Sequence, residues 1–322
     1  MEKILVLRGG ALGDFIVTLP ALAALRARWP AARIELAGNA TAAALAVARG
    51  LLDAAHSQHD TRWSAFYAAD PLPAAFAAWL ATFDLVLNFW PDPDAELARR
   101  FPLRSGQRFL AAPALPPAHP PAPAACHYGA PLRALGFPPV APAFRLSPLP
   151  AAHPHSLSPS SPAALAPAPI VLHPGSGSPR KNWPADRWRA LLDHLLRATP
   201  ASTPLVVILG EAESTAWENP FPTLPDSPSP FRAPESSRLV VLRQRPLEEL
   251  VAVLAGARLF LGHDSGISHL AAACGAPCVL LFGPTAPAIW APPGEHVRVI
   301  AAGPDLAALP LERVLAALPP LA

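Results

Sequence analysis

Three stretches of this sequence combine glycines with side chains that can move protons or hold anions. Asp14 ends a turn with three glycines (Arg-Gly-Gly-Ala-Leu-Gly-Asp). Lys181, one of only two lysines in the chain, closes a loop of glycine and serine, and Asp264 opens a run of small residues between two histidines. A carboxylate can take a proton from a reacting hydroxyl. A lysine beside backbone N–H groups can bind a phosphate.

Asp14 lies between an apolar strand, Leu5–Leu7, and a helix predicted over 15–28. Ligands of α/β proteins bind beyond the carboxyl ends of parallel strands. We therefore interpret Asp14 as a catalytic base, with Gly10 and Gly13 in the loop that lets an acceptor hydroxyl approach. The alternative is that Asp14 only caps the helix. The glycines do not match G-x-G-x-x-G, so no dinucleotide site is predicted.

The loop that contains Ser176 and Lys181 is predicted to bind a diphosphate. It follows a strand at 169–173 and precedes a helix at 184–198. Backbone N–H groups and the dipole of that helix both favour an anion, and Lys181 adds a positive charge. The loop is not a Walker A motif. The alternative is a surface turn with solvated basic residues.

A second anion site is predicted at Asp264, Ser265, Gly266, Ser268 and His269, because backbone N–H groups at a helix start favour negative charge. The alternative is that Asp264 or Ser265 only caps the helix and that His269 is a core histidine. No metal site is predicted, since helical i, i+4 spacing of the ligands is absent.

Two further segments are predicted at ends of strands in the second half. Glu213 follows the strand at 205–209, where a carboxylate can bind ribose hydroxyls; the alternative is a solvated helix start. Phe-Gly-Pro-Thr at 282–285 follows the strand at 277–282. It is predicted to lie at the same sheet edge as Asp264.

Alternating strand and helix patterns predict parallel sheets covered by helices on both faces. The 322 residues suggest an N-terminal Rossmann-like domain at 1–150, a Pro/Ser-rich linker at 151–168 and a C-terminal Rossmann-like domain at 169–322. Proline-rich segments that cannot be core helix or strand lie at 113–125, 148–169 and 217–236. Further strands are predicted at 4–7, 33–37, 84–89, 107–111, 239–242, 258–262 and 297–301, and further helices at 41–49, 73–81, 94–100, 128–135, 246–256, 267–274 and 306–318.

Composition excludes several classes of protein. The formal net charge is +2 with 15% charged residues, so no nucleic-acid partner is expected. Three cysteines are too few for a disulfide framework and indicate a reducing compartment. We see no signal peptide and no apolar run of membrane-spanning length. A cytoplasmic location is expected, and contact with a membrane surface is left open.

Taken in order, the motifs resemble those of glycosyltransferase family 9, the ADP-heptose:lipopolysaccharide heptosyltransferases. The family's opening segment is similar to Gly-Asp followed by Leu-Pro-Ala-Leu. Its middle segment is similar to His-Pro-Gly-Ser followed by Lys-x-Trp-Pro and a later Trp. Its late segment is similar to Asp-Ser-Gly-Ile-Ser-His-Leu-Ala-Ala-Ala followed by Phe-Gly-Pro-Thr. The matching residues are 13–14, 19–22, 173–176, 181–184, 188, 264–273 and 282–285.

The resemblance implies a GT-B architecture, in which two Rossmann-like domains with parallel sheets face a central cleft. It implies inverting transfer of heptose, or a related sugar, from an ADP-sugar donor to a lipopolysaccharide-core or other lipid-linked saccharide, without a cofactor or an obligatory metal. Asp14 is then the base, Lys181 binds the diphosphate, Glu213 binds the ribose, and residues 264–269 surround the diphosphate and sugar. A monomer in the cytoplasm is expected, and contact with the inner face of the cytoplasmic membrane is left open. The alternative is a GT-B-like nucleotide-sugar-binding protein without efficient turnover.

Overall fold

The chain folds into two compact units, Met1–Phe144 (unit 1) and Arg145–Ala322 (unit 2). Each unit is built around one parallel sheet, as the alternating pattern predicts. Of the linker predicted at 151–168, only the last two residues are described. The computed structural model describes residues 1–149, 167–210 and 238–321.

Unit 1 contains a five-stranded sheet in the order β3-β2-β1-β4-β5, with every neighbouring pair parallel. The central strand β1 is an almost uninterrupted buried apolar run, as expected for a sheet covered on both faces. The strands are β1 Lys3–Arg8, β2 Arg33–Gly38, β3 Ala54–Ser57, β4 Leu85–Asn88 and β5 Arg108–Ala111. The helices are α1 Leu12–Ile16, α2 Leu19–Arg28, α3 Ala40–Val47, α4 Ala74–Leu80, α5 Glu96–Arg100 and α6 Ala124–Gly129, with 3₁₀ turns at Thr61–Phe66 and Ala130–Leu135.

One buried carboxylate, Glu35 on β2, is satisfied within unit 1. It accepts hydrogen bonds from Arg33 Nε and His56 Nε2, both at 2.7 Å. Burial alone would raise the pKa of Glu35, but the hydrogen bonds and charges of His56 and Arg33 outweigh it and lower the pKa to about 2. Glu35 is therefore ionised at neutral pH.

Unit 2 contains a six-stranded parallel sheet in the order β11-β10-β9-β6-β7-β8. Counted from its own first strand, this is the 3-2-1-4-5-6 order of the doubly wound nucleotide-binding fold. The strands are β6 Ile170–His173, β7 Leu205–Leu209, β8 Leu239–Arg243, β9 Leu259–His263, β10 Cys278–Phe282 and β11 Val297–Ala301. The helices are α7 Ala185–Ala198, α8 Leu247–Ala255, α9 Gly266–Cys274, α10 Pro287–Trp290 and α11 Leu311–Leu315, with 3₁₀ turns at Pro179–Lys181 and Leu306–Ala308.

Three predicted helices are wrong in detail, and each contains a proline. The helix predicted at 15–28 is divided at Val17 and Thr18, because Pro20 has no N–H to donate and its ring crowds the preceding turn. The helix predicted at 128–135 is a 3₁₀ turn from Ala130 onward, and the helix predicted at 306–318 is a 3₁₀ turn followed, after Pro310, by α11.

Other elements were not predicted. The edge strand β3 consists of Ala-Ala-His-Ser, which has little intrinsic strand preference, and pairs with β2 at Glu35 and Ala54. Cys274 and Cys278 are both buried, and neither forms a disulfide. Within the described ranges, we find no helix with the length and apolar character needed to cross a bilayer.

Candidate functional site

The predicted site residues follow strands at the point where the strand order reverses in each sheet. In unit 1, β1 lies between β2 and β4, and Asp14 follows β1. In unit 2, β6 lies between β7 and β9; Lys181 follows β6 and Asp264 follows β9. Loops diverge at such a reversal and leave room for a ligand at the carboxyl ends of the strands.

Asp14 lies inside the first turn of α1, not at its N-cap as the capping alternative supposed. The N-cap residue is Ala11, and its backbone N–H donates to Asp14 Oδ2 at 2.9 Å. The other carboxylate oxygen, Oδ1, accepts from Arg8 at 2.8 Å. From its position in the first turn, Asp14 accepts from the N-cap backbone and also pairs with Arg8, so both oxygens of its side chain are held. The side chain keeps 29% of its surface exposed.

Gly10 makes room for that carboxylate. Its φ is +106°, and a β-carbon at this position would lie 2.5 Å from Asp14 Oδ2. The N–H of Gly10 donates to Gln58 Oε1 at 2.9 Å. Gly13 lies within α1, where its carbonyl accepts from the Val17 N–H as in an ordinary helix. The structure therefore requires glycine at position 10 for a steric reason that the sequence pattern did not specify.

Arg8 holds Asp14 in place and was not predicted as a site residue. Its guanidinium is 5% exposed and donates to Asp14 Oδ1, to the hydroxyl of Tyr128 at 2.8 Å and to Thr18 Oγ1 at 3.3 Å. Burial raises the pKa of Tyr128 to about 12, a rise that Arg8 opposes and Asp14 supports. Tyr128 is therefore protonated and donates to the Ala114 carbonyl at 3.0 Å. An arginine at the end of a buried strand needs such partners for its charge. The position of Arg8 was therefore a signal in the sequence that could have identified it as a site residue.

A cavity of about 910 Å³ opens beside Asp14 within unit 1. Asn88, at the end of β4, contributes to its wall; Oδ1 accepts from the Trp90 N–H at 2.9 Å, while Nδ2 is buried without a hydrogen-bond partner. The proline-rich segment at 113–125 contributes residues 113–115. The lining consists of Arg8, Gly9, Gly10, Asp14, Asn88, Phe89, Trp90, Pro91, Asp92, Pro93, Ala111, Ala112, Pro113, Ala114 and Leu115.

In unit 2, three segments that the sequence places far apart meet at Asp264. Lys181 Nζ donates to Asp264 Oδ2 at 2.7 Å, and Thr285 Oγ1 donates to the same oxygen at 2.8 Å. His269 Nε2 lies 4.0 Å from Asp264 Oδ1. The predicted meeting of the Phe-Gly-Pro-Thr segment with Asp264 is confirmed by the Thr285 contact. Asp264 is 8% exposed, whereas the Lys181 side chain keeps 30% of its surface exposed.

The capping interpretation holds for Ser265. Its hydroxyl accepts from the Ser268 N–H at 3.3 Å, and Gly266 is the first residue of α9. Ser268 in turn donates its hydroxyl to the carbonyl of His263. These contacts fix the start of α9, where backbone N–H groups lack helical acceptors and form a positive end.

His263 is a buried, neutral histidine that joins three segments through hydrogen bonds. Its Nε2 accepts from the Trp183 N–H at 2.8 Å and from Trp188 Nε1 at 3.2 Å, so the ring proton belongs on Nδ1, which faces the Gly175 carbonyl at 3.4 Å. Burial, with a smaller contribution from His173, lowers the pKa of His263 to about 3. The two tryptophans of the middle motif therefore anchor the Lys181 loop to β9.

The remaining predicted residues contribute differently. Ser176 is buried, and its hydroxyl lies 2.8 Å from the Ser178 carbonyl and 2.7 Å from Asn182 Oδ1, so it shapes the loop before Lys181. Glu213 lies outside the described residues. In the described part of the chain, no three His, Cys, Asp or Glu side chains cluster closely enough to hold a metal ion.

The sequence of this chain is similar to those of a glycosyltransferase family, and its structure is similar to solved structures. The sequence profile described as Glycosyltransferase family 9 (heptosyltransferase) matches residues 151–310. Lipopolysaccharide heptosyltransferase 1 of Salmonella typhimurium is 34% identical over 110 residues, which cover 34% of this chain and 30% of that protein. The aligned segment thus spans less than a third of this curated relative.

Two solved structures match nearly the whole chain. The family 9 glycosyltransferase from Veillonella parvula superposes with a TM-score of 0.71 at 18% identity, covering 98% of this chain and 96% of that one. The E. coli heptosyltransferase WaaC, solved with ADP, superposes with a TM-score of 0.66 at 19% identity, covering 98% of both chains. These likenesses confirm the predicted GT-B class of fold with two Rossmann-like units.

Proposed function

The chain belongs to glycosyltransferase family 9, and from this premise we propose that it is an inverting glycosyltransferase that moves heptose, or a related sugar, from an ADP-sugar to a saccharide acceptor. The observation that carries the proposal is the Lys181 ammonium, fixed by Asp264 beside the start of α9. A departing nucleoside diphosphate needs such fixed positive groups when no metal takes its charge.

The donor side of the proposal rests on unit 2. WaaC of E. coli was solved with ADP, and we infer that this chain takes an ADP-sugar, with ADP-heptose the first candidate. Lys181 and the N–H groups of Gly266 and Ile267 stabilise the diphosphate as it leaves. Glu213 is proposed to bind the ribose.

Asp264 has a different task, because a carboxylate repels a diphosphate. It holds Lys181 and Thr285 through Oδ2. Its other oxygen, Oδ1, and the nearby His269 are proposed to face hydroxyls of the donor sugar. Ser176 and Ser265 support this arrangement by shaping the loop and the helix start.

The acceptor side rests on Asp14. Each carboxylate oxygen has one protein partner and keeps lone-pair capacity for a further donor. Asp14 is proposed to remove the proton of the attacking hydroxyl, while Arg8 keeps the carboxylate oriented. Gly10 lies in the loop beside it, whereas Gly13, predicted in the same loop, lies in the first turn of α1.

The donor role is tested by measuring ADP affinity calorimetrically in Lys181→Ala and in Arg180→Ala. Arg180 is the neighbouring cation and is exposed, so its removal controls for a general loss of positive charge. Lys181→Ala should weaken ADP binding at least tenfold and Arg180→Ala less than threefold. Equal affinities in the two variants would remove the diphosphate role from Lys181.

The base role is tested with Asp14→Asn. This variant should bind ADP normally and lose sugar transfer by about 10²–10⁴-fold, the usual contribution of a general base. Wild-type turnover in Asp14→Asn would exclude Asp14 as the base. If the wild-type protein neither transfers sugar nor hydrolyses an ADP-sugar, the non-catalytic alternative is favoured instead.

The acceptor is proposed to be a lipopolysaccharide-core or other lipid-linked saccharide, met by a monomeric enzyme at the inner face of the cytoplasmic membrane. Family membership supports this proposal. Light scattering should return the mass of a single chain, 33.7 kDa. Sedimentation with vesicles carrying an anionic lipid tests the membrane contact, and a chain that stays wholly in the supernatant would argue against it.

A further inference from the structure

We propose that Gln58 and Asn39 are positioning residues for the base, because their side-chain amides hold the Gly10 turn in the conformation that presents a backbone N–H to Asp14. The inference rests on the proposed function, since it takes Asp14 as the base. In the described part of the chain, neither amide belongs to the lining of the cavity beside Asp14. Both residues therefore act through the turn.

The Gly10 turn cannot fix its own conformation. Glycine adopts positive and negative φ about equally readily, so Gly10, at φ +106°, leaves the peptide groups on either side of it free to rotate. Gly9, just before it, adds the same freedom. The peptide group after Gly10 carries the Ala11 N–H, which donates to Asp14 Oδ2 at 2.9 Å. A rotation of that group would remove one of the two contacts that orient the carboxylate.

Two side chains hold these peptide groups from outside the turn. Gln58 Oε1 accepts from the Gly10 N–H at 2.9 Å and so fixes the peptide group before Gly10. Asn39 Nδ2 donates to the Gly10 carbonyl at 3.4 Å and so fixes the peptide group after it. A backbone N–H needs an acceptor and a carbonyl needs a donor, which defines the amide atom that faces the turn in each case. Asn39 and Asp14 thus hold the two ends of one peptide group.

Both amides come from fixed positions at the carboxyl edge of the sheet. Asn39 follows β2 and is the N-cap of α3, where its Oδ1 accepts from the Ala42 N–H at 3.0 Å. Gln58 follows β3, and its backbone N–H donates to the Gly38 carbonyl at 2.7 Å. A catalytic group must be held within about 0.5 Å by supports that are themselves fixed. The ends of β2 and β3 provide such supports for the turn after β1.

The two amides have opposite roles, and this separates the effect of position from the effect of charge. Gln58→Glu and Asn39→Asp each replace an amide with a carboxylate of the same length beside the same turn. The first keeps an oxygen that accepts from the Gly10 N–H. The second loses the donor to the Gly10 carbonyl but keeps the oxygen that caps α3. Gln58→Glu should keep sugar transfer within threefold of wild type, whereas Asn39→Asp should lose it at least tenfold, since a displacement of about 1 Å costs on the order of 10²-fold.

Transfer is measured as heptose incorporated from ADP-heptose into heptose-free lipopolysaccharide. Gln58→Met removes the acceptor of the Gly10 N–H and should lower kcat at least tenfold, with the KM for ADP-heptose and the ADP affinity unchanged. Gln107→Met is the matched control, because Gln107 accepts from the Arg104 N–H and donates to the Ala81 carbonyl, both outside the turn. It should lower the melting temperature and leave transfer unchanged.

The outcomes distinguish this proposal from the proposed function. Wild-type kcat in Gln58→Met or in Asn39→Asp would overturn the positioning role of that residue. Equal losses in Gln58→Glu and Asn39→Asp would overturn both roles, because added charge alone would then explain them. A wild-type protein that does not transfer heptose refutes the proposed function itself, and the positioning roles with it.

Discussion

Replacing Gly10 with alanine is expected to displace the carboxylate of Asp14 while leaving the fold of unit 1 in place. The new β-carbon would lie 2.5 Å from Oδ2 and 2.6 Å from Cγ of Asp14. Favourable contacts between such atoms begin at about 3.5 Å. The carboxylate must therefore retreat by about 1 Å or leave the Ala11 N–H.

Two separate costs follow from this substitution. A residue with a β-carbon at φ +106° strains the backbone by about 1–2 kcal/mol, which lowers the melting temperature by roughly 3–8 °C. A base misplaced by about 1 Å loses on the order of 10²-fold in turnover. The first cost concerns stability alone, and the second concerns the chemistry at Asp14.

Gly106→Ala separates the two costs. Gly106 also has a positive φ, +88°, but a β-carbon there would meet nothing within 4 Å. Both variants should show a similar fall in melting temperature, while only Gly10→Ala should lose transfer by about 10²-fold with unchanged ADP affinity. Sugar transfer by Gly10→Ala at the same rate as by Gly106→Ala would refute the proposal that Gly10 makes room for the Asp14 carboxylate in its role as the base.

Two further predictions concern buried groups. Because the pKa of Glu35 is about 2 in the folded chain against an ordinary 4.5, its contribution of about 2–3 kcal/mol is present above pH 5 and lost as the pH falls from 4.5 towards 2. The urea midpoint of unfolding of the wild type should fall across that pH range, and the midpoint of Glu35→Gln should change less. The same pH dependence of the midpoint in both proteins would contradict this prediction. His263→Leu leaves the N–H groups of Trp183 and Trp188 without their acceptor and should cost about 2–5 kcal/mol in urea denaturation. A loss of stability below 1 kcal/mol would show that His263 does not hold Trp183 and Trp188 to the end of β9.

Hydrophobic pattern was sufficient to predict most of the fold. Strands such as β6 and β9 are buried on both faces, so their apolar runs mark them clearly. Element ends that depend on proline were missed, as at Pro20, where the apolar spacing continues through the break in the helix. The strand β3 was missed because its position depends on pairing with β2 and not on its own residues.

A residue of the candidate site could be placed from the sequence when its own type and its position after a strand were sufficient. A residue whose role depends on partners distant in the sequence could not be placed. Asp14, Lys181 and Asp264 could be placed by this rule. Of the partners that hold them, Thr285 could be placed at the sheet edge of Asp264, because its segment follows the next strand. Tyr128 could not be placed beside Arg8, because 120 positions separate the two residues. Such contacts exist only after the sheet has formed.

The reversed strand order also governs when each half of the chain can become native during synthesis. Ile170 of the central strand β6 pairs with Leu205 of β7 on one side and with Leu259 of β9 on the other. The second neighbour of β6 is therefore synthesised 89 residues after Ile170. A ribosome adding 5–20 residues per second needs on the order of 4–18 s to cover that 89-residue interval. Throughout it, one edge of β6 exposes unpaired backbone groups that can template intermolecular pairing. The interval before β9 emerges is therefore the period of greatest aggregation risk for unit 2, and a chaperone acting then would protect it most.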